Sequence, residues 1–168
     1  MSSMTQQTTQ LDPAVAECLQ KYGIEHQVLP CDPELADTAV FCSHYGYELQ
    51  HAANAIVVAT KSEPVQFACC IVLATTKLDV NKKVRQMMDG RKVSFATPEQ
   101  TLQLTGMLIG GVTPFGLQQI PLFIDSAVMA QPQVIAGGGN RSTKVLLHPS
   151  EYLKLPNAQV IEGMAIPK

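Results

Sequence analysis

The sequence predicts an α/β (α+β) fold in which a mixed, largely antiparallel central sheet is flanked by helices. Three observations carry this. Segments with apolar residues at helical spacing open on Asp and close on Gly, as in Asp12–Gly23 and Asp37–Gly46. Two β-rich runs, Asn54–Thr60 and Gln66–Thr75, are separated only by Lys61–Val65, a hairpin-length connection. Successive strands are joined in some places by short loops and in others by helices, which disfavours both a doubly wound parallel sheet and a sandwich.

The elements follow in order. Asp12-Pro13 starts a first helix, with Val15, Cys18, Leu19 and Tyr22 on one face and Gly23 as the stop. A short strand covers Glu25–Leu29, a loop runs from Pro30 to Asp37, and Asp37 opens a second helix that Gly46 closes. The two central strands come next. Val80–Met88 reads as a helix with Val84, Met87 and Met88 inward and its lysines outward, ended by Gly90. Lys92–Ala96 is a strand, and Thr97-Pro-Glu-Gln100 has the capping-box pattern of a further helix. Thr105–Ile109 is an apolar, strand-like run. Strands at Leu122–Asp125, Gln133–Ala136 and Lys144–Leu147 precede a late helix at Pro149–Lys154.

The chain has 168 residues, 46% of them hydrophobic, within the roughly 50–250 residues of one domain. Residues 1–11 are polar and read as a disordered tail; residues 12–168 form the single domain. No apolar stretch approaches the about 20 residues needed to span a bilayer, so no membrane partner is expected. Five cysteines, an odd number without C-x-x-C spacing, argue against a disulfide framework and fit a reducing cytoplasm. The net charge of −2 argues against indiscriminate nucleic-acid binding, yet six of the twelve basic residues lie between Lys77 and Lys92, a local basic face.

Two glycine clusters are the chemical candidates. In Thr105–Gly116, Gly110 and Gly111 are followed by Pro114, a pattern for a rigid loop that presents backbone N–H groups to a ligand. The second, Ala136-Gly-Gly-Gly-Asn-Arg-Ser142, matches neither a dinucleotide fingerprint nor a Walker loop. The four histidines lack paired ligand spacing, so neither a metal nor a cofactor is expected. Cys69-Cys70 lies mid-strand, with one thiol packing in the core, and Ser43 beside His44 has no nucleophile elbow.

The sequence Leu78-Asp-Val, Lys82-Lys-Val, Gly106–Gly116, Leu122-Phe-Ile-Asp125 and Ala136-Gly-Gly-Gly139 resembles the YbaK-type aminoacyl-tRNA editing domains, related to the insertion domain of bacterial prolyl-tRNA synthetase. The resemblance runs from about Asp12 to Glu162. It implies that domain's fold and a trans-editing deacylase acting on the 3′-terminal adenosine ester of mischarged tRNA, with an aminoacyl-tRNA synthetase as a further possible partner. Gly110, Gly111 and Pro114 would shape the ester site, with Thr113 beside them, and Asn54 would orient the terminal adenosine. Gly138, Ser142 and Lys144 would line the opposite wall, and Lys82, Lys83 and Arg85 would meet tRNA phosphates. A side chain at Gly110 is expected to block the ester.

One departure stands out. The family's functional lysine falls on Asn54, with Lys61 at the far end of the strand as a substitute only if the chain folds back. Rates are therefore expected to rank Lys, Asn, Ala at position 54. The amino acid removed depends on which side chains of the Asp37–Tyr45 helix and central strands converge. A non-catalytic binder of tRNA or a synthetase, and a small-molecule ester or thioester hydrolase, are the rival readings.

Overall fold

A computed structural model describes residues 10–168. The helices are α1 (Pro13–Lys21), α2 (Thr38–Tyr45), α3 (Arg85–Met87), α4 (Pro98–Thr105) and α5 (Ser126–Met129). The strands are β1 (Gln27–Pro30), β2 (Ala53–Thr60), β3 (Phe67–Leu73), β4 (Thr76–Leu78), β5 (Val93–Phe95), β6 (Leu122–Asp125), β7 (Val134–Gly137), β8 (Thr143–Leu147), β9 (Ala158–Ile161) and β10 (Ala165–Pro167).

A five-stranded sheet in the order β5-β2-β3-β6-β9 forms the centre. Its β5-β2-β3 side is antiparallel, and its β3-β6-β9 side is parallel, so the sheet is mixed as the alternation of loops and helices implies. A second, antiparallel sheet has the order β1-β8-β7, and β4 pairs with β10. Because successive strand residues point to opposite faces, the central strands divide their side chains between two cores. Val57, Cys69, Ile71, Leu122 and Ile124 pack with Val15, Cys18 and Leu19 of α1. Val58, Cys70, Val72 and Phe123 pack with Val84 and Met88.

This two-sided burial corrects one expectation, since both Cys69 and Cys70 are buried rather than one. The five cysteines are free and buried. Local details also differ. Of the tail at residues 1–11, residues 1–9 lie outside the described residues, while Gln10 is already held, its carbonyl accepting from Asn140 Nδ2 at 3.0 Å. Val80–Val84 is a π-helical turn, with Asp79 accepting from the Lys82 N–H at 3.3 Å, that runs into α3. Met87 there is only half-buried.

Thr97 and Gln100 form the capping box of α4, both reciprocal bonds being present. That helix ends at Gly106 in the left-handed region, with φ 76°. The turn of the chain at this point is why the strand-like run Thr105–Ile109 forms no strand. Thr105 is the last helical residue, Met107 alone reaches the core, and Leu108 and Ile109 are more than half exposed. The late helix at Pro149–Lys154 is a 3₁₀ helix, capped by His148.

Candidate functional site

The two glycine clusters meet backbone to backbone. Gly139 N–H donates to the Gly111 carbonyl at 2.8 Å. A Cβ on Gly111 would overlap the Asn140 carbonyl oxygen and lie 2.6 Å from its carbon. One on Gly137 would overlap the Val112 carbonyl oxygen. Asn140 itself is fixed, its Oδ1 accepting from Ser142 N–H at 3.1 Å, Ser142 Oγ at 3.1 Å and Thr143 Oγ1 at 2.7 Å. Close approach is what these glycines serve, as their type predicts, but the neighbour is the other loop.

Gly110 has φ 96°, and its absent side chain leaves room for the Arg141 guanidinium. Arg141 Nη1 donates to Ile109 O at 2.6 Å and pairs with Asp37 Oδ1 at 3.2 Å, and Nε donates to Pro33 O at 3.0 Å. A side chain at Gly110 would therefore meet this strap first and have to displace it. Of the loop amides, Gly111 N–H turns back to Leu108 O at 2.9 Å.

These contacts frame a cavity of about 370 Å³. It lies where β5 pairs only with the far half of β2, Val58–Thr60, and is lined by Ala53–Val57 together with the β7 segment Ile135–Gly137. The start of α2 and the Ile109–Val112 loop close two further sides, and Phe95, Ala96 and Thr101 stand at another. The walls are mainly apolar, as ligand sites commonly are.

Few polar groups enter it. The Thr38 hydroxyl donates to Asn54 Oδ1 at 2.7 Å, which fixes the amide and leaves its NH₂ as the donor side. Lys144, only 5% exposed, donates from Nζ to Ala36 O at 2.6 Å and to Gly110 O at 2.7 Å, and lies 5.6 Å from the Phe41 ring centroid. Burial pushes its ammonium below the ordinary lysine range. Cys42 also lines the cavity, and burial raises its thiol pKa, which disfavours a thiolate nucleophile.

Of the residues singled out from the sequence, Asn54, Gly110 and Lys144 line this cavity together. Gly111, Thr113 and Pro114 are buried and do not line it; Pro114 O instead accepts from Leu117 N–H at 3.1 Å and Gln118 Nε2 at 3.1 Å. Gly138 and Ser142 also stand behind the wall, Gly138 O accepting from Asp12 N–H at 3.2 Å. Lys61 is exposed just past the end of β2 and does not fold back, because β2 stays extended through Thr60 between its neighbours. Lys82, Lys83 and Arg85 lie on the segment that sends Val84 into the core and do not line the cavity. Asp37, which the sequence marks only as a helix start, Thr38 and Arg141 join the site through the fold. Arg141 lies inside the second glycine cluster, but its reach to Pro33 and Ile109 depends on distant packing. Among the described residues, no group of three His, Cys, Asp or Glu could hold a metal, and no helix is long and apolar enough to cross a membrane.

Comparison with known proteins agrees with this architecture. The chain is 32% identical over 141 residues to the uncharacterized protein YwhH of Bacillus subtilis (strain 168), covering 83% of this chain and 87% of that one. It is 26% identical over 108 residues to a candidate Cys-tRNA(Pro)/Cys-tRNA(Cys) deacylase, EbsC of Enterococcus faecalis (strain ATCC 700802 / V583), covering 64% and 63%. Among solved structures, hypothetical protein APE2540 superposes with a TM-score of 0.80 at 20% identity, covering 91% and 99%. A candidate trans-editing enzyme for prolyl tRNA synthetase superposes at 0.76 and 25% identity, covering 91% and 98%. With residues 32–155 matching the family directly, the chain belongs to the aminoacyl-tRNA editing domain family.

Proposed function

We propose that this protein is a free-standing deacylase that hydrolyses the ester joining a wrong amino acid to the 3′-terminal adenosine of a tRNA. The observation that carries the reading is the convergence of Asn54, Gly110 and Lys144 on one largely apolar cavity. The family association supplies the substrate class. The reaction adds water to the ester carbonyl carbon; the tetrahedral adduct then collapses, breaking the acyl C–O bond, and the ribose oxygen takes the proton. The protein positions and polarises the ester through hydrogen-bond donors, without a covalent acyl-enzyme. In this reading Asn54, whose Oδ1 accepts from the Thr38 hydroxyl, uses its free NH₂ to orient the terminal nucleoside. Its neutral side chain is the observation that favours the second reading, a non-catalytic relative that binds tRNA or a synthetase.

The test is a deacylation panel of several mischarged tRNAs. Turnover of at least one supports the deacylase; tRNA binding without turnover on any supports the binder. The panel also identifies the amino acid, whose side chain must fit among Phe41, Cys42, Ile135 and their neighbours. Binding is expected to involve the basic segment near α3. Neutralising Lys82 and Lys83 together should weaken tRNA binding and flatten its salt dependence, with a slope change on the order of 1 per lost phosphate contact. Unchanged affinity between low and moderate salt would assign these lysines to ordinary solvation. The reaction fits a cytoplasmic setting, where charged tRNA is used.

A further inference from the structure

Lys144 is the lysine or arginine among the described residues whose side chain lines the cavity. Its surroundings are unusual for a charge. It is 5% exposed, and its bonded partners, Ala36 O and Gly110 O, are neutral carbonyls. No carboxylate among the described residues lies within ion-pair distance; the nearby Asp37 pairs with Arg141. An ammonium has three N–H donors, so one remains for a further acceptor. A buried charge without a counter-charge is costly, and here the place for a counter-charge is the cavity itself.

Resting on the ester-hydrolysis reading, we infer that Lys144 is a catalytic residue whose remaining N–H meets the ester carbonyl oxygen as it becomes an oxyanion. The charge pattern of the substrate selects this role. The free α-amino group of an aminoacyl ester is cationic or neutral, and the phosphates belong to the polynucleotide outside a largely apolar cavity. Negative charge arises inside only when water adds to the carbonyl and its π electrons move onto oxygen. A fixed ammonium aimed at that oxygen interacts more strongly with the transition state than with the neutral ester, the condition for raising the rate. The same ammonium holds Gly110 O, so it also sets the position of the loop at the reacting bond.

A lysine that merely ties the Ala36 segment to the Gly110 loop would have the same contacts, and the experiment separates the two roles. Lys144→Gln removes the charge and keeps an NH₂ donor, on a side chain one bond shorter. On the best substrate of the deacylation panel, its single-turnover rate constant should fall on the order of 10²–10³-fold, the loss typical of an oxyanion donor. Its affinity for the same tRNA carrying a non-hydrolysable amide-linked amino acid should stay within about threefold of the parent, since that ground state carries no oxyanion. Asn54→Lys combined with Lys144→Gln returns one ammonium to the cavity from β2 and should recover at least about tenfold of the lost rate.

A folded Lys144→Gln protein that keeps its rate, or that loses affinity in proportion to rate, overturns the inference. If Lys144→Gln fails to fold, Lys144→Met takes its place, because replacing a buried charge by an apolar chain of similar length is often tolerated. Failure of both to fold overturns the inference in favour of a structural lysine. Parent protein without turnover on any mischarged tRNA removes the deacylase reading and this inference with it, whereas parent turnover indifferent to Lys144 removes the inference alone.

Discussion

Gly111→Ala is expected to destabilise the folded protein by about 3 kcal/mol or more, the upper range for forcing an extra carbon into packed structure. The added Cβ would overlap the Asn140 carbonyl oxygen and approach the Asn140 Cα to 3.0 Å. Neither side can retreat easily. Asn140 is held by the three bonds to its Oδ1, and the Gly111 carbonyl is bonded to Gly139 N–H at 2.8 Å. For a chain of this size the melting temperature should fall by roughly 6–12 °C. Gly163→Ala is the matched control, having φ 70° and open space around the new carbon. Its cost is the left-handed backbone strain alone, about 1 kcal/mol. Equal drops in the two variants, measured by thermal melts under one condition, would refute the interlocked loops.

Asn54→Ala should reduce deacylation by about tenfold, the worth of one buried hydrogen bond and the orientation it fixes. It removes both the amide donor and the acceptor of the Thr38 hydroxyl, which lies 2.7 Å away. From sequence alone, Asn54→Lys would be expected to improve on the parent. The surroundings of position 54 lead us to expect a different order. A lysine at position 54 leaves Thr38 without its acceptor and puts a second ammonium into the cavity that Lys144 already lines, and like charges in a low-dielectric space disfavour one another. Rates should therefore rank Asn, Ala, Lys in the parent background, with Lys rising only when Lys144 is neutral. A faster Asn54→Lys single variant would show that the two positions do not share an electrostatic environment.

The fold was legible where local chemistry governs it. Asp12-Pro13, Asp37, the Thr97–Gln100 box and the glycines after each helix mark ends that side-chain and backbone sterics decide within four residues. The central β2–β3 hairpin announced itself by two β-branched runs and a short connection. What escaped was non-local. Strand β9 shows no alternation of burial, and its place beside β6 depends on parallel pairing with a distant segment. Met107–Ile109 has strand composition, yet Gly106 turns it out of any ladder.

The candidate site divides along the same line. Asn54, Gly110 and Lys144 were named from residue type and family pattern, and the fold places them on one cavity. Gly138, Ser142 and Pro114 sit in equally suggestive stretches but do not line it, because a glycine-rich backbone can serve a neighbouring loop as readily as a ligand. Arg141 is held by atoms more than thirty positions away. Nothing local could announce it.

The five buried thiols give the protein a built-in record of its own opening. Cys18 sits on α1, Cys42 lines the cavity with Cys31 in the same buried cluster behind it, and Cys69 and Cys70 lie in the middle of β3. Burial raises all five thiol pKa values, with Cys70 pushed up to about 12, so modification of the closed molecule is suppressed at each. A thiol-directed reagent therefore reads transient exposure, residue by residue, without any probe being engineered in. Reaction at Cys42 ahead of Cys70 would time the breathing of the cavity wall against the parting of the central strands.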